Sequence, residues 1–384
     1  MRKKEIRPDL RRLSDTFMEL VKINSPSREE AAVCAWLRRH FSDLGFEVIE
    51  DKTKSETGSS SGNLIVRTPG VKDVPPLFFN AHMDTVEPGR GIKPIFKEGV
   101  FSTDGSTILG SDDKAAIAIL IEVANLLKEY DVAHGPVEFL FTVCEEIGLL
   151  GAKAFDPALL KARAGYALDA TNPDMLITMA PAAIRFHLKV VGKAVHAGIR
   201  PEDGINAIRI AAKALSTIPM GRIDDETTAN IGVIRGGNAT NIVPGEVEMD
   251  GEVRSHSPKR LREVEDEIIG RFHKVASEFR KDGLDGLPLV QAEVRDDYPA
   301  MSVPDDHQLV KAAMDAARVL GRDIKTGKTG GGSDANIFNG KGLSTVIMGI
   351  GMQNVHSTSE FIRLEDMARV CRLVIEIIKS WPGC

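Results

Sequence analysis

The chain has 384 residues, 42% of them hydrophobic, with 49 basic residues against 55 acidic ones and a formal net charge of −6. That length exceeds what one ordinary core supports and predicts two domains; the mild acidity argues against a nucleic-acid-binding surface. No stretch reaches the roughly 18 apolar residues of a membrane span, and the sparse cysteines, Cys34, Cys144, Cys371 and Cys384, form no CxxC pair, which points to a reduced, cytoplasmic compartment.

The start, Met1-Arg2-Lys3-Lys4-Glu5-Ile6-Arg7, is basic but leads into an amphipathic helical pattern instead of the apolar core of a signal peptide. Ser27-Arg28-Glu29-Glu30 has the S-x-x-E form of a capping box and predicts a helix over 31–44. The Ser-rich stretch 55–62 reads as a loop, and Asn63-Leu64-Ile65-Val66 as the next strand. Three further apolar runs end on polar residues. Leu77-Phe78-Phe79-Asn80-Ala81 runs into His82, residues 137–144 into Glu145 and Glu146, and Tyr166-Ala167-Leu168 into Asp169. Short apolar runs of this kind suit a sheet covered by helices. In open α/β sheets, ligands bind outside the carboxyl ends of the strands, where all these polar residues would stand. Asp112, in Gly110-Ser111-Asp112-Asp113-Lys114, precedes a helical pattern over 115–128 and would lie at a strand-to-helix turn facing the same crevice.

After Asp169 the texture changes. Ile184-Arg185-Phe186-His187-Leu188-Lys189-Val190 and Val247-Glu248-Met249-Asp250-Gly251-Glu252-Val253 alternate polar and apolar, as antiparallel strands with one wet face do. Helical patterns cover 204–218 and 259–281. An α+β unit, residues 180–296, therefore reads as an insertion between two parts of a larger α/β domain, residues 1–179 and 297–384. Tyr298-Pro299 and Val303-Pro304 mark the return, and 306–320 resumes as helix. Thr326-Gly327-Lys328-Thr329 looks like the end of a phosphate loop, but Gly321 is one residue too distant for G-x-x-x-x-G-K-T. In Gly330-Gly331-Gly332-Ser333-Asp334 the glycines permit close backbone approach or mark a turn. His356, beyond the insertion, would complete a site begun before it.

A lone His or Asp at a strand end is usually structural. Several converging on one edge are not explained that way, because clustered carboxylates raise each other's pKa unless a cation is present. Imidazole and carboxylate together suit a borderline metal such as zinc, and one spare carboxylate beside the set can carry a proton.

The strings Asn80-Ala81-His82-Met83-Asp84, Gly110-Ser111-Asp112-Asp113-Lys114, Cys144-Glu145-Glu146-Ile147-Gly148 and Val355-His356-Ser357 resemble the metal-binding signature of the M20 family of metallopeptidases. The likeness spans the chain, and within the family it is greatest to the tripeptide aminopeptidases of the peptidase T group. It implies a zinc-exopeptidase-like α/β domain, a mixed sheet with helices on both faces, carrying an inserted α+β lid with an antiparallel sheet. It also implies that His82 and Asp169 hold one metal, that Glu146 and His356 hold the other, and that Asp112 bridges both. Asp84 would buttress the His82 imidazole, Glu145 would be the general base, and the Asp112–Asp113 peptide would be cis.

In Gly192-Lys193-Ala194-Val195-His196-Ala197-Gly198, His196 resembles the lid histidine that stabilises the developing oxyanion. Asn241 and Arg254 look like a polar clamp for substrate carboxylate or backbone, a task for which arginine is suited, and Gly332 and Ser333 belong to a loop that lines the substrate pocket in similar proteins.

The expected activity is thus that of a two-metal hydrolase, an aminopeptidase acting on tripeptides or similar short peptides. Asp169 agrees with this, because aspartate at that position accompanies aminopeptidase or dipeptidase activity among similar enzymes. Zinc is the expected ion, although cobalt and manganese accept the same groups, and a homodimer through the lid is expected. A deacylase of N-acyl amino acids is the near alternative. A non-catalytic, metal-stabilised binding protein is a more distant one, against which the intact Glu145 speaks. In a purely structural protein the acidic cluster would merely be solvated.

Overall fold

The computed structural model describes residues 6–284 and 286–382, so the first five residues of the basic start, and Cys384, lie outside the described residues. The chain divides into two compact units, one of Met1–Met179, Ser302–Thr329 and Ser333–Cys384, the other of Ala180–Met301 with Gly330–Gly332.

The first unit is built on a nine-stranded mixed sheet. Its middle is parallel: Val137–Thr142, Leu77–His82, Ala164–Ala170 and Ser344–Gly349 lie side by side in that order. Leu64–Thr68 joins antiparallel outside Val137–Thr142, and Met175–Ala180 antiparallel beside Ser344–Gly349. Every residue of Leu77–His82 and of Val137–Thr142 is buried, which requires cover on both faces. Neighbouring side chains of a strand point to opposite faces. Phe79 accordingly stacks on Tyr166, while Phe78 meets Phe338 of the helix Asp334–Gly340 edge-on. Phe139 and Phe141, two apart, share a face and both pack on Phe41 of the helix Ala31–Asp43. The register sets His82 opposite Thr142, so the carboxyl ends of these strands finish level on one edge.

Two local readings are overturned. Ser27 and Glu30 form no capping box. Glu30 is the N-cap of Ala31–Asp43 but makes no side-chain cap bond; its buried carboxylate accepts instead from the backbone N–H groups of Arg28 and Cys144 and from the Ser59 hydroxyl. The Ser27 hydroxyl donates to Asp84. The stretch 55–62 is not all loop. Lys54–Thr57 makes one helical turn, because the Asp51 carboxylate gathers the N–H and hydroxyl of Thr53 and Gly58 closes the turn at φ 69°.

The second unit carries a five-stranded antiparallel sheet in the order Gly221–Arg222, Thr227–Gly236, Glu246–Ser255, Ala182–Val191, Leu289–Tyr298. Ile184, Phe186, Leu188 and Val190 form one core with Val247, Met249 and Val253 and with residues of the helices Ala207–Leu215 and Pro258–Ser277. The alternate residues make polar pairs on the wet face: Arg185 with Asp297 and Lys189 with Glu246 and Glu248 as ion pairs, and the His187 ring with Asp250 at 2.8 Å. Among the described residues no helix is long and apolar enough to cross a membrane.

Candidate metal centre

His82 is the last residue of its strand. Its backbone N–H donates to Asp113 at 3.1 Å, and its ring is held between the backbone carbonyl of Asp84, 3.0 Å from Nδ1, and Oδ1 of Asp112, 3.0 Å from Nε2. The Asp84 carboxylate is 3.5 Å from Nδ1. The expected buttress is therefore shared, with the carbonyl nearer than the carboxylate, which is taken up by Ser27 and by the N–H groups of Glu145 and Glu146.

Asp112 interrupts the helical backbone of Ser111–Glu129, at φ −86° and ψ 101°, and its peptide bond to Asp113 is cis. In the first turn of the helix the Asp112 N–H has no ladder acceptor, and it donates to Glu360. Cys144, at φ 54°, ends the extended backbone after Val137–Thr142 and opens the turn that carries both glutamates. His356 lies on a loop closed by paired hydrogen bonds between Gln353 and Phe361, itself in the left-handed region at φ 60°. Its Nε2 is 3.2 Å from Oδ2 of Asp112 and 3.1 Å from Glu146.

His82, Asp112 and Glu146 thereby offer ligand atoms that all lie within 4.8 Å of one another, and His356 touches two of the three. Asp169, penultimate in the strand Ala164–Ala170, stands outside that tight group, but its charge is close enough to raise Glu145 and Asp113.

Burial dominates the electrostatics. Desolvation pushes Glu145 and Asp169 well above the ordinary carboxylate range, and the neighbouring acids push further. Asp112 is also desolvated, yet its hydrogen bonds to His356 and His82 together outweigh burial and hold it below its usual value. The same contacts, with Asp112 first and Glu146 second, raise His356 to about 10. An acidic cluster that draws protons onto its two imidazoles is a cluster in want of positive charge. With imidazole nitrogen and carboxylate oxygen as donors, the residues fit a borderline divalent cation.

Sequence reasoning passed over several residues of this edge. Asp334 is buried at the start of the helix Asp334–Gly340, accepts from the Thr142 hydroxyl, leaves one oxygen without a partner, and is raised to about 6, mainly by burial. It lies in the Gly330-Gly331-Gly332-Ser333-Asp334 string, whose glycines drew attention to the loop instead of to its acid. Asp113 and Glu360 are likewise buried carboxylates in supporting positions; Asp113 stands inside the Gly110-Ser111-Asp112-Asp113-Lys114 string, where the expectation concerned only its peptide bond, and Glu360 carries no signal beyond following the His356 segment.

In the second unit, His196 is exposed, its Nδ1 accepting the Gly198 N–H, and its backbone bridges to Ile242. The Asn241 carbonyl accepts the Ala197 N–H, so Asn241 and His196 sit on facing segments. Arg254 makes a two-pronged ion pair with Glu252 at 2.9 and 3.1 Å. Gly332 packs so closely on Tyr298 that a Cβ would lie 2.4 Å from the ring. In the first unit, the Ser333 hydroxyl caps the helix Asp334–Gly340 within a capping box completed by Asn336.

Residues 78–380 match the model of the peptidase family M20/M25/M40. An aminopeptidase PepT from Bacillus cereus ATCC 10987 has a similar crystal structure, with a TM-score of 0.89 and 42% identity over 97% of this chain and 98% of that one. A tripeptidase from Staphylococcus aureus subsp. aureus Mu50 superposes with a TM-score of 0.91 at 38% identity, again over 97% and 98% of the two chains. A peptidase T from Fusobacterium nucleatum is 28% identical over 298 residues, covering 77% of this chain and 70% of the relative.

Proposed function

This chain belongs to the peptidase family M20/M25/M40, and on that premise we propose that it is a two-metal aminopeptidase acting on tripeptides or similar short peptides. One observation carries the reading: His82, Asp112, Glu146 and His356 converge at the carboxyl edge of a parallel sheet with the buried Glu145 directly preceding one of them. The similar structures of an aminopeptidase and a tripeptidase support the choice of substrate.

In this reading His82 and Asp169 would hold one ion, Glu146 and His356 the other, and Asp112 would serve both. Two divalent cations, zinc by preference and cobalt or manganese by the same donor chemistry, supply Lewis acidity to the scissile carbonyl and to the attacking water. Glu145, buried and directly preceding Glu146, would take the proton of that water and pass it to the leaving amine. Asp84 fixes the backbone of the glutamate turn and the ring of His82. His196 donates to the oxyanion, Asn241 and Arg254 bind substrate carboxylate or backbone, with Arg254 exchanging Glu252 for the ligand, and Gly332 and Ser333 contribute the turn bordering the peptide.

A homodimer through the inserted unit belongs to the same reading. Beyond the pairs Gly221↔Ala229 and Arg222↔Thr228, the outer edge of Thr227–Gly236 has no strand partner among the described residues. The buried free thiols of Cys34, Cys144 and Cys371 fit a reducing, cytoplasmic compartment.

The test is a hydrolysis screen of free and N-blocked di-, tri- and tetrapeptides, with zinc, cobalt or manganese added and with a chelator. Cleavage of free tripeptides from the amino end, abolished by the chelator, is expected. Turnover confined to N-acylated substrates overturns the aminopeptidase assignment in favour of a deacylase.

A further inference from the structure

Glu360 is a carboxylate with 1% exposure whose whole accepting capacity faces one turn of distant chain. Its Oε2 accepts the N–H groups of Leu109 and Gly110 at 2.7 and 2.8 Å, and its Oε1 accepts the Ser111 hydroxyl at 2.5 Å and the Asp112 N–H at 3.1 Å. That turn holds Gly110 in the left-handed region at φ 72° and leads into the helix break at Asp112. Four donors on successive residues are what a single carboxylate can satisfy, and each bond to a charged acceptor is stronger than a neutral one.

The other end of Glu360 is tied to His356. Its own N–H donates to the Ser357 carbonyl at 3.1 Å, and its neighbour Phe361 closes the loop through two hydrogen bonds with Gln353. One buried side chain therefore joins the turn that presents Asp112 to the loop that presents His356.

We propose that Glu360 is a positioning residue that holds the Asp112 turn and the His356 loop in register, so that both are preorganised for a shared divalent ion. This rests on the two-metal reading above. Asp112 and Glu146 both reach the His356 imidazole, at 3.2 and 3.1 Å, so two carboxylates of like charge stand beside one ring and repel each other. A carboxylate anchored by its own backbone does not retreat from that repulsion, and loss of such outer support commonly weakens metal binding by ~10–100-fold.

The experiment measures zinc affinity and stoichiometry by chelator competition on the full-length protein, alongside thermal unfolding of the metal-free forms. Glu360→Gln keeps the side-chain shape but turns one acceptor into a donor that faces other donors. Its zinc dissociation constant is expected to rise ~10–100-fold, and Ser111→Ala, which deletes a single contact, is expected to show a smaller rise in the same direction. A Glu360→Gln protein that binds zinc as the wild type does overturns the inference, even if its metal-free form melts earlier, since that pattern marks a support of the fold alone. If Glu360→Gln does not fold, Ser111→Ala decides, and unchanged affinity there overturns it. A wild-type chain that takes up no zinc, cobalt or manganese overturns the two-metal reading itself, and the inference with it.

Discussion

Oδ1 of Asp84 accepts the backbone N–H of Glu145 at 2.9 Å, while Oδ2 of the same carboxylate accepts the N–H of Glu146 at 3.2 Å. The glutamate pair is thus gripped through its backbone by a residue two positions beyond His82, and Ser27 completes the grip from the amino-terminal part of the chain. Burial raises Asp84, but the contacts with His82 and these donors outweigh it and keep the group below its usual range.

Asp84→Asn replaces one accepting oxygen with a donor pointed at a backbone N–H. A fall in kcat of ~10–100-fold is expected, the size typical of lost outer support at metal sites, with Ser27→Ala falling less. Steady-state kinetics on the best peptide of the screen checks this; a kcat equal to wild type would remove Asp84 from the machinery.

Glu145→Gln keeps volume and hydrogen-bonding length but cannot carry a proton. Its kcat is expected to fall ~10²–10⁴-fold, the usual worth of a positioned general base, with zinc content unchanged by elemental analysis. Turnover that survives in a fully loaded Glu145→Gln protein shows that another group moves the proton.

Lys114 offers a test of stability separate from catalysis. It is fully buried, its Nζ donates to the Ile23 carbonyl at 2.6 Å, and burial holds it down from 10.5 to about 7 against the opposing attraction of Glu360. A base with a lower pKa folded than unfolded penalises the fold wherever the unfolded chain binds the proton more readily. The penalty is complete below about pH 7 and is relieved as pH rises from there towards 10.5. Lys114→Met is therefore expected to exceed wild-type stability by roughly 1–3 kcal/mol near pH 6, with the advantage shrinking near pH 10. Urea unfolding at both pH values measures it, and a difference independent of pH contradicts the assignment.

The sheet was legible because its strands announce themselves. Leu77-Phe78-Phe79-Asn80-Ala81 and residues 137–144 are mostly apolar, broken only by Asn80, Glu138 and Thr142, and their strands are buried on both faces, a pattern open to few arrangements. The alternation of Ile184, Phe186, Leu188 and Val190 with polar residues made the second sheet equally plain. What escaped was the polar support. Ser27 and Glu30 match a capping box in spacing and chemistry, and only the folded chain brings Asp84, Ser59 and Cys144 to compete for them. Asp334 ends a Gly-rich string and Glu360 follows the His356 segment, but neither context reveals its partners, which lie far away in the chain at Thr142 and at Leu109 to Asp112. Local spacing carries hydrophobic pattern well and carries long-range hydrogen bonding hardly at all.

The strand Ser344–Gly349 sits inside the sheet, flanked by Ala164–Ala170 and Met175–Ala180, and His356 follows it shortly afterwards. A nascent polypeptide that has released everything up to the second unit still lacks both the strand that fills this slot and the imidazole beyond it. The sheet therefore closes only after the second unit has been released, and a chain interrupted before Ser344 leaves Ala164–Ala170 and Met175–Ala180 without the strand between them.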